Sequence, residues 1–166
     1  WVEFVWDGTE SESLMAEDGE GMDEASLVTA MRMGSISPTV KRSVNDLGRF
    51  GLGLKTASLS QARCLTVVSL ANGAEVVTRS WDLDYIAEHG GGEWRLLKPL
   101  ISDVKDHAER LQSTRQGTIV ALSKLDRVVI DGSRGDKKAE KRFRERIDEV
   151  RAHLGMVFHR YLKGPS

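Results

Sequence analysis

The sequence predicts an α+β domain: a two-layer α/β sandwich with a mixed, mainly antiparallel sheet. Three observations predict it. The apolar runs Leu65–Leu70 and Ala74–Asp82 are joined by Asn72-Gly73, the strongest short signal of an antiparallel hairpin. The strand-like segments are grouped, with the helix-like segments expected on one side of them. A C-terminal long helix over 136–163 carries Phe143, Ile147, Val150, Leu154, Val157 and Tyr161 at three- and four-residue steps, which makes one apolar face.

Taken in order, Trp1–Trp6 and Ser13–Ala16 read as two strands around the turn dipeptide Asp7-Gly8. A helix follows over 23–32, with Asp23 and Glu24 in its first turn, where the helix dipole favours carboxylates. Gly34–Leu47 mixes Gly, Ser, Pro and charge without a period, which is loop composition. Lys41 and Arg42 within it either reach an anion or face water. A second helix spans Leu54–Ala62, and the Asn-Gly hairpin comes next. Trp81–Tyr85 reads as a strand end and a turn, Glu93–Leu97 as a short strand, and Ile101–Gln112 as a small helix or a charged excursion. Gly117–Leu122 is a further strand, and Arg127–Asp136 is linker-like. The basic residues of the last helix, among them Lys137, Lys141, Arg144 and Arg146, are offset by Glu140, Glu145, Asp148 and Glu149, which predicts a solvated face.

The chemistry concentrates in two glycine clusters. The first in importance is Asp46-Leu-Gly-Arg-Phe-Gly-Leu-Gly-Leu-Lys-Thr-Ala-Ser58, where Gly48, Gly51 and Gly53 run straight into a helix. Glycines let a ligand touch the main chain, and a helix start offers unpaired amides and the positive end of a dipole. Together they suit an anion, most often phosphate. The Walker spacing fails because Leu54 separates Gly53 from Lys55. The dinucleotide pattern fails because Thr56 stands where its third glycine belongs. A plain surface loop capping a helix is the alternative. The second cluster is Glu17-Asp-Gly-Glu-Gly-Met22, at the end of a short apolar strand. A carboxylate there can accept from an exocyclic amine, and Gly19 and Gly21 let a flat base near the backbone. An acidic strand-to-helix turn is the plain alternative.

The two clusters in this order resemble the GHKL ATPase superfamily of gyrase B, the heat-shock chaperone ATPases, histidine kinases and MutL. Its pattern is Asp-x-Gly-x-Gly, a helix, a variable lid, then Gly-x-x-Gly-x-Gly opening a second helix. Gly117-Thr118 matches the family's Gly-Thr, whose hydroxyl helps hold adenine. The stretch Leu47–Ser58 is similar to that of bacterial MORC-like ATP-binding proteins. The resemblance implies a Bergerat-type fold over a single domain, residues 1–166. It implies ATP or ADP as ligand, with Mg2+. Glu17 and Asp18 would recognise adenine with Thr118 assisting, and Gly19, Gly21 and Met22 would shape the base pocket. Gly48, Arg49, Phe50, Gly51, Leu52, Gly53 and Leu54 would line the phosphates, with Lys55 adding charge and Gly34–Leu47 as lid. At the family's aspartate this sequence has Glu17, with Asp18 one place later. Glu3, Glu10, Glu12 and Asn45 do not match the family's first box, which holds a general-base Glu and a magnesium-binding Asn. The chain is therefore expected to be a fragment lacking the catalytic helix, with weak or absent hydrolysis, and no catalytic or metal-ligating residue is assigned. The alternatives are a non-catalytic module whose nucleotide state switches a homodimer or a docked partner, and, ranked last, a histidine kinase ATPase domain.

The bulk properties narrow the classes further. A length of 166 residues suits one domain with its own core. A net charge of −1 gives no global basic excess for nucleic acid. One cysteine, Cys64, rules out an internal disulfide and agrees with a reducing cytoplasm. His89, His107, His153 and His159 have no metal-site spacing. No apolar run is long enough to span a bilayer.

Overall fold

A computed structural model describes residues 1–34, 51–89, 93–128 and 132–159. They form the strands β1 (Val2–Val5), β2 (Glu12–Glu17), β3 (Cys64–Leu70), β4 (Val77–Asp82) and β5 (Gly117–Ser123). The helices are α1 (Glu24–Met31), α2 (Gly53–Leu59), α3 (Leu83–His89), α4 (Lys105–Thr114) and α5 (Lys137–Val157). A 3-10 turn at Ile101–Val104 leads into α4. The sheet order is β1-β2-β5-β3-β4, and every pairing among these strands is antiparallel. The α+β class is as the sequence predicts.

Strand alternation divides the core. Leu65 and Val67 of β3, Leu122 of β5 and Trp81 of β4 face Leu27 and Met31 of α1, Ala62 after α2 and Phe143 of α5. Val68 and Leu70 of β3 and Ile119 of β5 face the other way, against Val104 and Leu111. The helices therefore occupy both faces of the sheet, where the sequence suggested one. The reason is that β3 is apolar on both sides over Val67–Val68, and the second side needs α4 to cover it.

Several boundaries differ from expectation for local reasons. The Asn72-Gly73 turn closes with Ala74 N–H donating to Ala71 O at 3.0 Å, yet pairing resumes only at Val77. Glu93–Leu97 is not a strand: Leu97 alone bridges to Ser80, and Pro99 soon follows with no amide hydrogen to extend a ladder. The turn expected after Trp81 is instead α3. Its start is capped by Asp82 Oδ1, which accepts from Asp84 N–H at 2.8 Å and Tyr85 N–H at 3.1 Å. On α5, Phe143 is buried, but Val150 and Val157 are exposed, so only the first part of the apolar face packs. Its charged face is laced by pairs such as Arg144–Glu140 at 2.6 Å and Arg146–Glu149 at 2.9 Å. Tyr161 lies outside the described residues.

An ionic cluster ties α3 to the far end of the sheet. Asp84 accepts from Lys124 Nζ at 2.7 Å and from Arg63 Nε at 2.6 Å. The Lys124 ammonium, and then the Arg63 guanidinium, hold its carboxyl below the usual carboxylate range. A depressed carboxylate stabilises the fold above its unfolded pKa, and that contribution is lost as pH falls through the folded value. Asp84 is partly exposed, so water screens the pairs. Asp84→Asn is expected to cost about 1 kcal/mol at pH 7. The gap from wild type should shrink below about pH 4, as the wild-type carboxyl protonates. Thermal melts from pH 7 to 2.5 check this, and a gap constant across that range would refute it.

Candidate functional site

The acidic cluster lies where β2 ends. Glu17 of β2 stands opposite Thr118 of β5, and Thr118 stands opposite Ser69 of β3. Directly opposed residues share a face, so Glu17, Thr118 and Ser69 line up across three strands, on the face that α1 covers. Asp18, one residue past the end of β2, lines a cavity of about 540 Å³ together with Glu17, Ala16 and Ile119. By strand register it is Glu17 that stands opposite Thr118.

The Glu17 carboxylate is partly committed. Its Oε2 accepts from the Gly19 amide at 2.5 Å, which folds the loop back on the strand end. Gly21 has a φ of +68°, and a Cβ there would meet Leu70 O at 2.0 Å. Gly117 has a φ of +132°, and its Cβ would meet Glu17 O at 2.3 Å. Both glycines are required for backbone to approach backbone. The next residue, Met22, donates its amide to Ser69 Oγ at 2.8 Å and packs on the core.

Helix α1 is fixed at both ends. Asp23 caps it, accepting from Ser26 N–H at 2.8 Å. Glu24 pairs with buried Arg79 and, at 3.0 Å, with Lys98, and these two cations lower its pKa, Arg79 the more. At the other end the indole of Trp81 donates to Met31 O at 2.9 Å. The Lys55 ammonium donates to Ala30 O at 2.7 Å.

That last bond moves Lys55 from the place its sequence position suggested. The residue is 2% exposed. Burial pushes its pKa below the usual lysine value. Its charge sits at the negative end of α1, and among the described residues Ala30 O is its hydrogen-bond partner. The glycine loop itself is described from Gly51, which has a φ of +63°. Leu52 precedes α2, and no side chain among the described residues caps the first turn. A Cβ on Gly53 would meet nothing within 4 Å. Among the described residues nothing covers this helix start, and Leu52 and Leu54 beside it are exposed. Gly48, Arg49 and Phe50 lie outside the described residues, as do Lys41, Arg42, Asn45 and the expected lid beyond Gly34.

Sequence reading missed Ser69, Arg79 and Trp81. A signal existed for Ser69: it interrupts the apolar run Leu65–Leu70 on the core side, where a hydroxyl needs partners. Among the described residues no group of three or more His, Cys, Asp or Glu side chains is placed to hold a metal ion. No described helix is long and apolar enough to cross a membrane.

Comparison with curated proteins finds no match. A family model described as histidine kinase-, DNA gyrase B- and HSP90-like ATPase matches residues 2–118, which run from the first strand to the threonine opposite Glu17. On that match, over most of its length, the chain belongs to the histidine kinase-, DNA gyrase B- and HSP90-like ATPase family, and its domain is of the ATP-binding type.

Proposed function

We propose that this chain binds ATP with adenine at the Glu17–Thr118 end and the phosphates over the start of α2. Glu17 accepts from the exocyclic amine through the carboxylate oxygen that Gly19 leaves open. Thr118 stands beside it, and Gly19, Gly21 and Met22 shape the pocket around them. Gly48, Arg49, Phe50, Gly51, Leu52, Gly53 and Leu54 present the phosphate loop, its backbone amides serving as donors. Lys55 acts from behind, fixing α2 against α1. The observation that carries this reading is the register of Glu17 with Thr118, which joins two sequence motifs about a hundred residues apart in a matched family. The free thiol of Cys64 supports a reducing, cytoplasmic setting.

Gly53→Val tests the phosphate end. Its side chain enters open space, so the fold is expected to persist with an unchanged circular dichroism spectrum. ATP affinity measured by calorimetry with magnesium should fall by roughly a hundredfold, about 2.7 kcal/mol, because the β-branched side chain blocks approach to the amides. Equal binding by wild type and variant would remove the loop from the site. No binding by the folded wild type would overturn the reading.

A further inference from the structure

We propose that Ser69 determines base specificity, by fixing the Thr118 hydroxyl as a hydrogen-bond acceptor and so selecting a purine with a 6-amino group over one with a 6-oxo group. This rests on the reading of the Glu17–Thr118 end as the base site. Ser69 is fully buried in β3, and its Oγ has three neighbours. They are Met22 N at 2.8 Å, Thr118 Oγ1 at 2.9 Å and Gly117 O at 3.1 Å.

A serine hydroxyl has one proton and two acceptor lone pairs. The Met22 amide can only donate, so it occupies one lone pair. The Gly117 carbonyl can only accept, so it takes the serine proton. To keep the third contact, Thr118 must donate its own proton into the remaining lone pair of Ser69. This is the one assignment that satisfies all three contacts. It spends the threonine proton inward and leaves Thr118 Oγ1 with lone pairs alone.

Across the ladder stands the Glu17 carboxylate, also an acceptor. Two acceptors side by side suit an exocyclic –NH2, which has two N–H donors. They oppose a 6-oxo oxygen, which offers only lone pairs and leaves the buried Thr118 oxygen unpaired. Ser69 touches no base in this scheme. It is a positioning residue acting through Thr118.

ATP and ITP test the proposal, because the bases differ at the 6-position and the adjoining N1 proton. Calorimetry on the whole chain is expected to show a preference for ATP of roughly tenfold or more. In Ser69→Ala the threonine proton is released and can turn toward a 6-oxo group, so the ratio should contract several-fold. Ser69→Cys keeps the size with a weaker acceptor and should contract it part of the way, which serves if the alanine variant does not fold. A merely structural serine would lower both affinities together. If a folded Ser69 variant keeps the wild-type ATP to ITP ratio, the specificity role is overturned while the base site stands. If wild type binds neither nucleotide, the base site itself fails and this inference falls with it.

Discussion

Gly21→Ala is expected to cost about 3 kcal/mol or more and to disorganise the base end of the site. Two costs add. Gly21 has a φ of +68°, and an L-residue in the left-handed region costs roughly 1–2 kcal/mol. The new methyl would also stand 2.0 Å from Leu70 O and 2.5 Å from its carbonyl carbon. Those are backbone atoms of a central strand and cannot swing aside as a side chain would. Relief requires the Gly19–Met22 loop to lift, which breaks the Met22 amide bond to Ser69, worth about 1 kcal/mol more. Gly73→Ala is the control. Its φ is +76°, but its Cβ meets nothing within 4 Å, so only the conformational cost of about 1 kcal/mol applies. Urea unfolding of both variants separates the two costs. Equal midpoints would show that the close approach to Leu70 does not matter.

Lys55 supplies the second large effect. Lys55→Ala is expected to destabilise the chain by about 2–3 kcal/mol, since a fully buried four-carbon stem is truncated at roughly 0.8 kcal/mol per methylene. The Ala30 carbonyl also loses its donor. Lys55→Met keeps most of the stem and removes a buried charge that has no carboxylate partner among the described residues, so its loss should be about 1 kcal/mol or less. ATP affinity should change little in the methionine variant. A lysine turned to phosphate gives the opposite pattern: both variants melt like wild type, and both lose affinity. Melting curves and ATP titrations of the pair decide between these roles.

The contrast between Lys55 and the hairpin shows which features the sequence made legible. The Asn72-Gly73 turn, the helix start at Asp23–Glu24 and the strand from Gly117 are local, set by residues a few positions apart, and each stands where predicted or within a few residues of it. Lysine is rarely buried, so its place after a glycine loop read as a phosphate contact. Only the approach of α1's last turn to α2 reveals its partner. Ser69 is similar. Its three neighbours come from the loop before α1 and from β5, and no window along the chain contains them together. The choice between Glu17 and Asp18 was open in the sequence for the same reason. Strand register sets Glu17 opposite Thr118, and register across distant strands is fixed by tertiary packing. The helix α3 was hidden because Asp82 serves equally as a turn residue and as a cap.

The position of β5 has a consequence for how the chain is made. It is the last of the five strands in sequence and the middle one in space, between β2 and β3. Without it the sheet separates into two hairpins, β1–β2 and β3–β4, each a two-stranded unit of marginal stability. A nascent chain emerging from the ribosome holds Glu17 and Ser69 well before it holds Thr118, and until then the row that these three residues form across the sheet has no middle. A nucleotide therefore cannot template the early chain. It can act only by mass action on the sheet once β5 has slotted in.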